Sequence, residues 1–526
     1  MSRSCSAAAV GKKRSYMKKM VSLLFHRGVI VGIFIIIQIM VLVVMLLGFN
    51  TYFLPIYIFC TALSVFAVFW IVGRQSDPGY KIAWIVPILL FPIFGGLFYL
   101  MFGGNRLSRR TRRKMEIVSR EMKEVLGADF QAETLSAVGE DAVVQARYLE
   151  RKARCPVYSN TETEYYPLGE RCFARMVEEL KKAKRYIFVE YFIIEEGVMW
   201  DTILDILKDK VQEGVDVRVM YDDVGSIFTL PRDYDQELER RTGIKCCAFN
   251  RLVPVLSLRL NNRDHRKILV IDGEVAFTGG INLADEYINK KVRFGHWKDS
   301  AILVRGDAAW SMTVMFLTMW NYIRDTDHGQ YDAFRPAERR KYGAVGYVQP
   351  YTDNPLDLEA VGQTVYLNMI CRAKRYVYCT TPYLIVDDNM NTALCMAAKS
   401  GVDVRIITPH IPDKKVVFEL TRAHYQPLLE AGVRIYEYTP GFVHAKNFAV
   451  DDLYGTVGTI NLDYRSLFLH FENGVWLCGT PSIGDIKADF LETLELCQEI
   501  TLEQARALPW WRKALRAVLR VFAPLM

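Results

Sequence analysis

Apolar and polar positions divide this chain into two regimes. Through the first hundred residues the apolar runs are long. Val29 to Gly48 is broken only by Gln38, Phe53 to Gly73 follows within five residues, and Ile82 to Phe102 makes a third. A helical run of the first one's length reaches across a hydrocarbon core of roughly 30 Å, so residues 29–104 are expected to form a membrane region. The length of that run and the closeness of the second argue against a cleaved signal peptide. The third run carries Pro87, Pro92 and Gly95-Gly96. Such breaks suit a segment that dips into the bilayer and returns better than a full span.

Beyond residue 104 the pattern shortens. Residues 105–150 are charged and poor in aromatics, which predicts a helical linker. Short apolar strands then alternate with helical stretches at Cys172 to Lys184, Thr202 to Glu213, Met390 to Ser400 and Leu420 to Ala431. The alternation repeats. Ala183-Lys184-Arg185-Tyr186 recurs as Ala373-Lys374-Arg375-Tyr376, Gly214-Val215-Asp216-Val217-Arg218 as Gly401-Val402-Asp403-Val404-Arg405, and Thr242-Gly243-Ile244 as Ala431-Gly432-Val433. This predicts an α/β fold of two pseudo-symmetric lobes, 151–345 and 346–508, each with a mainly parallel sheet. A helix is expected at residues 509–526. There Arg512, Arg516 and Arg520 share one face while Trp511, Leu515, Val518, Leu519 and Phe522 lie mostly on others. That pattern fits an interfacial helix anchored by Trp510 and Trp511, or a helix on the catalytic part with its arginines in water.

Inside the repeat lies a stricter pattern. His265, Lys267, Asp272, Gly279, Gly280 and Asn282 are answered by His444, Lys446, Asp451, Gly458, Thr459 and Asn461. The offset of 179 here, against 190, 187 and 189 elsewhere, places an extra loop before His265. Each motif runs into an apolar strand, Lys267 to Asp272 and Lys446 to Asp451, so His and Lys are expected on one face. Bringing both strand ends together gathers two imidazoles, two ammonium groups and two side-chain amides. That set suits a phosphodiester. Lysines and asparagines can hold its non-bridging oxygens, one histidine can attack phosphorus, and the other can protonate the leaving oxygen. No metal is needed, because the lysines supply the positive charge. Sequence does not say which histidine does which.

Charge changes the picture further. Residues 1–28 carry seven Lys/Arg and Arg106 to Lys114 carry six, so both flanks belong in the cytoplasm. Two spans plus a returning third segment satisfy both. Residues 1–114 hold 15 Lys/Arg against Asp77 alone, a net of +14; the whole chain is +7, leaving −7 on residues 115–526. The positive charge thus sits at the membrane border, where it attracts anionic lipid. A nucleic-acid enzyme would carry it on the catalytic part, so no nucleic-acid partner is expected. Eleven scattered cysteines without a C-x-x-C fit reduced thiols in a cytoplasm.

The flanks narrow the family. Leu260 through Asn262, His265-Arg266-Lys267, Gly279-Gly280, and Asn282 to Asp285-Glu286-Tyr287, together with Gly441-Phe442-Val443-His444-Ala445-Lys446, resemble bacterial cardiolipin synthases of the phospholipase D superfamily. The resemblance runs from about residue 75 to the C-terminus. It implies phosphatidyl transfer between two phosphatidylglycerol molecules, without cofactor. The apolar runs and basic flanks make the chain an expected multi-pass protein of the cell membrane whose catalytic part faces the cytoplasm. The resemblance also implies that His265 is the nucleophile, that His444 is acid then base, and that Asp272 and Asp451 brace the site. Glu472 would orient a histidine, with Asp299 serving the first half. A phospholipase D, another headgroup transferase, or a non-catalytic scaffold binding anionic lipid are the alternatives.

Overall fold

The computed structural model describes residues 50–525, apart from 75–76, 93–94, 97–98, 100–102, 104–108, 128–129, 252–261, 337–339 and 358; before residue 50 only 36, 37 and 40 are described. The expected basic segment 1–28, most of the run 29–48 and the extra loop before His265 therefore lie outside the described residues. The chain divides into two compact units, residues 1–106 and 107–526.

In the first unit, Asn50–Val72 is a helix without a single charged residue. Leu54, Ile58, Phe59, Phe66, Phe69 and Trp70 are exposed along it. Taken over the described side chains alone, which in this helix run unbroken only from Tyr57, no helix is long and apolar enough to cross a membrane. A second helix, Pro78–Leu90, starts where the Asp77 carboxylate accepts from the Tyr80 N–H at 2.9 Å. It stops at Phe91, the residue before Pro92, where proline disfavours helical backbone. The chain then doubles back. A Cβ on Gly95 would lie 2.5 Å from the Ile88 Cα, the Trp84 and Tyr99 rings meet edge to face at 5.3 Å, and the Tyr80 hydroxyl donates to the Gly103 carbonyl at 3.0 Å.

The second unit contains two sheets of matching design. The first is built from β1 (Thr161–Tyr166), β2 (Tyr186–Tyr191), β3 (Asp216–Asp222), β4 (Lys245–Phe249), β5 (Ile268–Ile271), β6 (Val275–Gly279) and β8 (Ala301–Gly306), in the order β1-β8-β6-β5-β2-β3-β4. The second uses β9 (Tyr347–Asp353), β10 (Tyr376–Thr380), β11 (Asp403–Pro409), β12 (Arg434–Tyr438), β14 (Asn447–Val450), β15 (Tyr454–Gly458), β16 (Glu472–Cys478) and β17 (Cys497–Ile500), in the order β17-β12-β11-β10-β14-β15-β16-β9. Between them a small parallel pair joins β7 (His296–Lys298) to β13 (Gly441–Val443).

The sheets are mixed, not mainly parallel as expected. Within the two large sheets only β2-β3-β4 and β10-β11-β12 run parallel. Each of these parallel neighbours is reached through a connection that contains a helix, such as Val198–Gln212 and Asp388–Lys399. The motif strands β5 and β14 insert antiparallel to β2 and β10 and turn straight into β6 and β15. Each turn has two successive residues at positive φ, Asp272-Gly273 and Asp451-Asp452, the geometry of a tight hairpin. Hairpins make antiparallel neighbours, and periodicity alone does not distinguish the two pairings.

One core joins the halves. Phe188, Ile268 and Val270 of the first sheet and Val377, Phe448 and Val475 of the second belong to the same buried cluster. The helix Ala309–Arg324, buried continuously from Ala309 to Asn321, fills it. Helices Arg109–Gly127 and Glu140–Lys152 contribute Met115, Val118, Met122, Val143, Ala146 and Leu149 to the same cluster.

Candidate active site

The two histidines are held by a reciprocal exchange between the halves. The His265 backbone N–H donates to the Phe471 carbonyl at 2.9 Å, and the His444 N–H donates to the Lys298 carbonyl at 2.7 Å. The next residue in each case is a buried carboxylate. Glu472 reaches Nδ1 of His265 at 2.9 and 3.0 Å, and Asp299 reaches Nδ1 of His444 at 2.7 Å. Each half thus supplies the carboxylate of the other half's histidine, which corrects the expectation that Asp299 serves the first half. Sequence distance suggests local pairing. The crossing arises because β7 pairs with β13, and Asp264 bridges to Phe471, across the pseudo-twofold.

With Nδ1 donating to a carboxylate, Nε2 is left free to act. Lys267 Nζ donates to the carbonyl of His265 at 2.7 Å, and Lys446 Nζ donates to that of His444. One N–H of each ammonium is thereby used locally. Asn282 accepts from the Ile193 N–H at 3.0 Å and donates to the Tyr287 hydroxyl at 2.7 Å. Asn461 donates to the Ser466 hydroxyl at 3.0 Å, while its carbonyl oxygen is buried without a hydrogen-bond partner.

Asp272 and Asp451 stand apart from the histidines. The Asp272 carboxylate accepts from the N–H groups of Lys184, Arg185 and Tyr186 at 2.8, 2.8 and 2.9 Å. Asp451 accepts from those of Lys374, Arg375 and Tyr376 at 2.6, 2.8 and 2.9 Å. The duplicated Ala-Lys-Arg-Tyr is therefore the docking site of the motif aspartate.

A glycine is required where the first carboxylate passes. A Cβ on Gly280 would lie 2.0 Å from the Asp299 carboxylate and 2.8 Å from the His444 carbonyl. The equivalent position in the second half is Thr459, whose hydroxyl donates to Glu472.

Burial dominates the electrostatics. It drives His265 well below the usual imidazole range, helped by the Lys267 charge, and lifts the Glu472 carboxyl. His444 is lowered to about 4 by burial and by Lys446, against the pull of Asp299. Burial alone would raise Asp299, but His444 and Lys446 beside it hold it below the ordinary carboxylate range. Burial also brings Lys267 down to about 7 and Lys446 to about 8.

Sequence reasoning overlooked several residues here. His470 is buried with its ring centroid 5.6 Å from that of His265, and neither ring nitrogen has a hydrogen-bond partner. Its counterpart across the pseudo-twofold is Trp297, 5.5 Å from His444. One imidazole is thus flanked by a polar ring and the other by an apolar one, packed against Phe442 and Tyr287. Aligning Glu472 with Asp299 would have paired these residues. His265, His470 and Glu472 form the one cluster with metal-ligand spacing among the described residues, their ligating atoms lying within 4.8 Å of one another. The charges of Arg465, Arg263, Lys267 and Lys414 all act on His470 and oppose a divalent cation there.

Comparison with known proteins agrees with this layout. Residues 176–302 and 366–494 match the family described as "Cardiolipin synthase, PLD-like domain", and residues 62–104 match "Phospholipase D-nuclease N-terminal". A cardiolipin synthase of Geobacillus sp. (strain WCH70) is 37% identical over 475 residues, 90% of this chain and 94% of its own. One from Halalkalibacterium halodurans is 34% identical, over 89% and 93%. An uncharacterised Streptococcus mutans protein is 46% identical, over 88% and 99%. In fold, the phosphatidylserine synthase of Haemophilus influenzae superposes with a TM-score of 0.53 at 16% identity, covering 72% of this chain and 97% of its own.

Proposed function

Because the chain belongs to the cardiolipin synthase family of phospholipase D-like proteins, we propose that it transfers a phosphatidyl group between two phosphatidylglycerol molecules, giving cardiolipin and glycerol. The observation that carries this reading is the pair of buried imidazoles, each tied through Nδ1 to a carboxylate of the opposite half.

His265 Nε2 attacks phosphorus. With the anionic substrate bound, His444 takes up a proton at Nε2 as an imidazolium held by Asp299. A nitrogen–phosphorus bond then forms, the bond to the glycerol headgroup breaks, and His444 gives that proton to the departing oxygen. In the second step a hydroxyl of the other phosphatidylglycerol loses its proton to His444 and attacks phosphorus, releasing His265. Electrostatics supports this division of labour. Burial keeps both imidazoles neutral in the free protein, as the nucleophile His265 must be. An ionised Asp299 favours the imidazolium that His444 forms once the anionic phosphodiester is bound. The remaining N–H groups of Lys267 and Lys446, with Asn282 and Asn461, hold the non-bridging oxygens. The lysines take the part that a metal ion plays elsewhere.

The reaction belongs at a membrane. The uncharged helix Asn50–Val72 and the run 29–48 would span it, and the doubled-back segment 78–103 would re-enter and leave on the same side. This arrangement keeps residues 1–28 and the catalytic unit in the cytoplasm.

The test is an assay with full-length protein, phosphatidylglycerol as sole lipid and a chelator present. Cardiolipin and glycerol should form together, and a phosphatidyl adduct should be trapped on His265. Phosphatidic acid in their place would make the chain a phospholipase D, and strict dependence on a divalent ion would refute the role given to the lysines.

A further inference from the structure

The C-terminal helix Trp510–Phe522 is turned the opposite way from a helix that keeps its arginines in water. Arg512 and Arg516 point inward and clasp Glu419 on the helix Lys415–Ala423, at 2.7 and 2.9 Å. Arg516 also donates to the Arg422 carbonyl at 3.5 Å and is only 9% exposed. Beyond them Ala523 is buried with Ile385 and Leu420, and Leu519 lies against the same cluster. Two charge-assisted pairs on one carboxylate and an apolar plug at the end fix the helix in rotation about its axis.

The consequence lies on the other side. Trp510, Trp511, Leu515 and Val518 are 80%, 54%, 43% and 55% exposed. The last three are spaced by four and three residues and so form one stripe. Val416, on the helix beneath, is exposed as well. Exposed cations stand at the start of the partner helix, Lys414 and Lys415, next to Val416. Lys513 and Arg520 are exposed on the other flank of the C-terminal helix. An apolar stripe with two tryptophans at one end, on a helix pair that also exposes cations, is the composition of a surface that lies in a headgroup layer.

The stripe is also tied to the reaction centre. The loop that leads into Lys415–Ala423 runs beside β13, where the Ile411 N–H donates to the Gly441 carbonyl at 3.5 Å, three residues before His444. In the same loop Lys414 stands over the Tyr383 ring at 5.8 Å, and the Tyr383 hydroxyl donates to Asp413 at 2.5 Å.

We infer that the outward stripe Trp510/Trp511/Leu515/Val518, with Lys414 and Lys415 of the partner helix, docks on a bilayer containing anionic lipid and holds the catalytic unit against the membrane that supplies its substrate. The inference rests on the lipid substrate of the proposed function. Anionic phosphatidylglycerol complements Lys414 and Lys415, while the inward arginines are held by Glu419 and leave the apolar face as the outer surface.

The test uses the full chain reconstituted in bilayers of phosphatidylglycerol and phosphatidylethanolamine. In the triple variant Trp511→Glu, Leu515→Glu, Val518→Glu, the ratio of turnover on bilayer phosphatidylglycerol to turnover on monomeric dihexanoyl phosphatidylglycerol should fall about tenfold. An unchanged ratio, whether both rates persist or both fall, overturns docking. Independently, a photoreactive diazirine amino acid introduced at Leu515 should crosslink to lipid. Crosslinks to a second copy of the chain, or quenching by water alone, overturn it. If the unaltered protein makes no cardiolipin from either lipid, it is the proposed function that fails, and the crosslink still decides the docking surface.

Discussion

At His265 and His444 the carboxylates differ in length as well as in origin. Glu472 is lifted by burial while Asp299 is held down by His444 and Lys446, so the two imidazoles are not interchangeable. Substituting Asp299→Asn or Glu472→Gln removes the negative charge behind each imidazole and lets an amide NH2 face Nδ1, so the tautomer is no longer fixed. Each should lower kcat by about 10²–10³-fold with little change in KM, and an effect confined to KM would assign them to binding. The lysines make a prediction in pH. Burial brings Lys267 to about 7 and Lys446 to about 8, and the phosphate-holding form is the protonated one. That form is present below pH 7 and lost as pH rises through 7 to 8, so kcat/KM, which reports the free enzyme, should decline across that window. Bound phosphate favours the ammonium, so kcat should hold to higher pH. A kcat/KM profile flat to pH 9 would show that neither lysine is lowered.

The hairpin that carries each motif depends on one aspartate at its turn. Asp272 and Asp451 have φ of 54° and 57°, backbone that aspartate and asparagine tolerate better than other side chains. Each carboxylate also caps three N–H groups at the start of the neighbouring strand. Asp272→Ala leaves those donors to water and adds backbone strain, and should destabilise the protein by roughly 2–4 kcal/mol in denaturant unfolding. Asp272→Asn keeps the turn and one acceptor, and should cost about half as much. Equal losses would mean that the turn contributes nothing. The repeated Ala-Lys-Arg-Tyr was visible in the sequence, but only as the opening of a strand. That its backbone receives the motif aspartate depends on β5 and β14 lying beside β2 and β10.

For the molecule as a whole, duplication explains why one site serves two halves. A lobe alone has a histidine and a lysine but lacks the carboxylate for that histidine, which comes from across the pseudo-twofold. The membrane arrangement makes its own prediction. With the segment 78–103 doubling back, reporters fused at residue 1 and at residue 526 should both read cytoplasmic. Opposite readings would require three full spans.

Much of this protein was determined by sequence alone. Matched spacing over two copies disclosed the repeat, the imidazole and ammonium groups and the α/β lobes, because these follow from local alternation and from residue identity. Tertiary structure decided the rest. Whether a strand pairs parallel or antiparallel, which carboxylate reaches which imidazole, and which face of Trp510–Phe522 turns inward all depend on contacts between residues far apart in the chain. Glu472 is 207 positions from His265, and no periodicity encodes such a partner. Only the packing of the two sheets on one core brings them within a hydrogen bond.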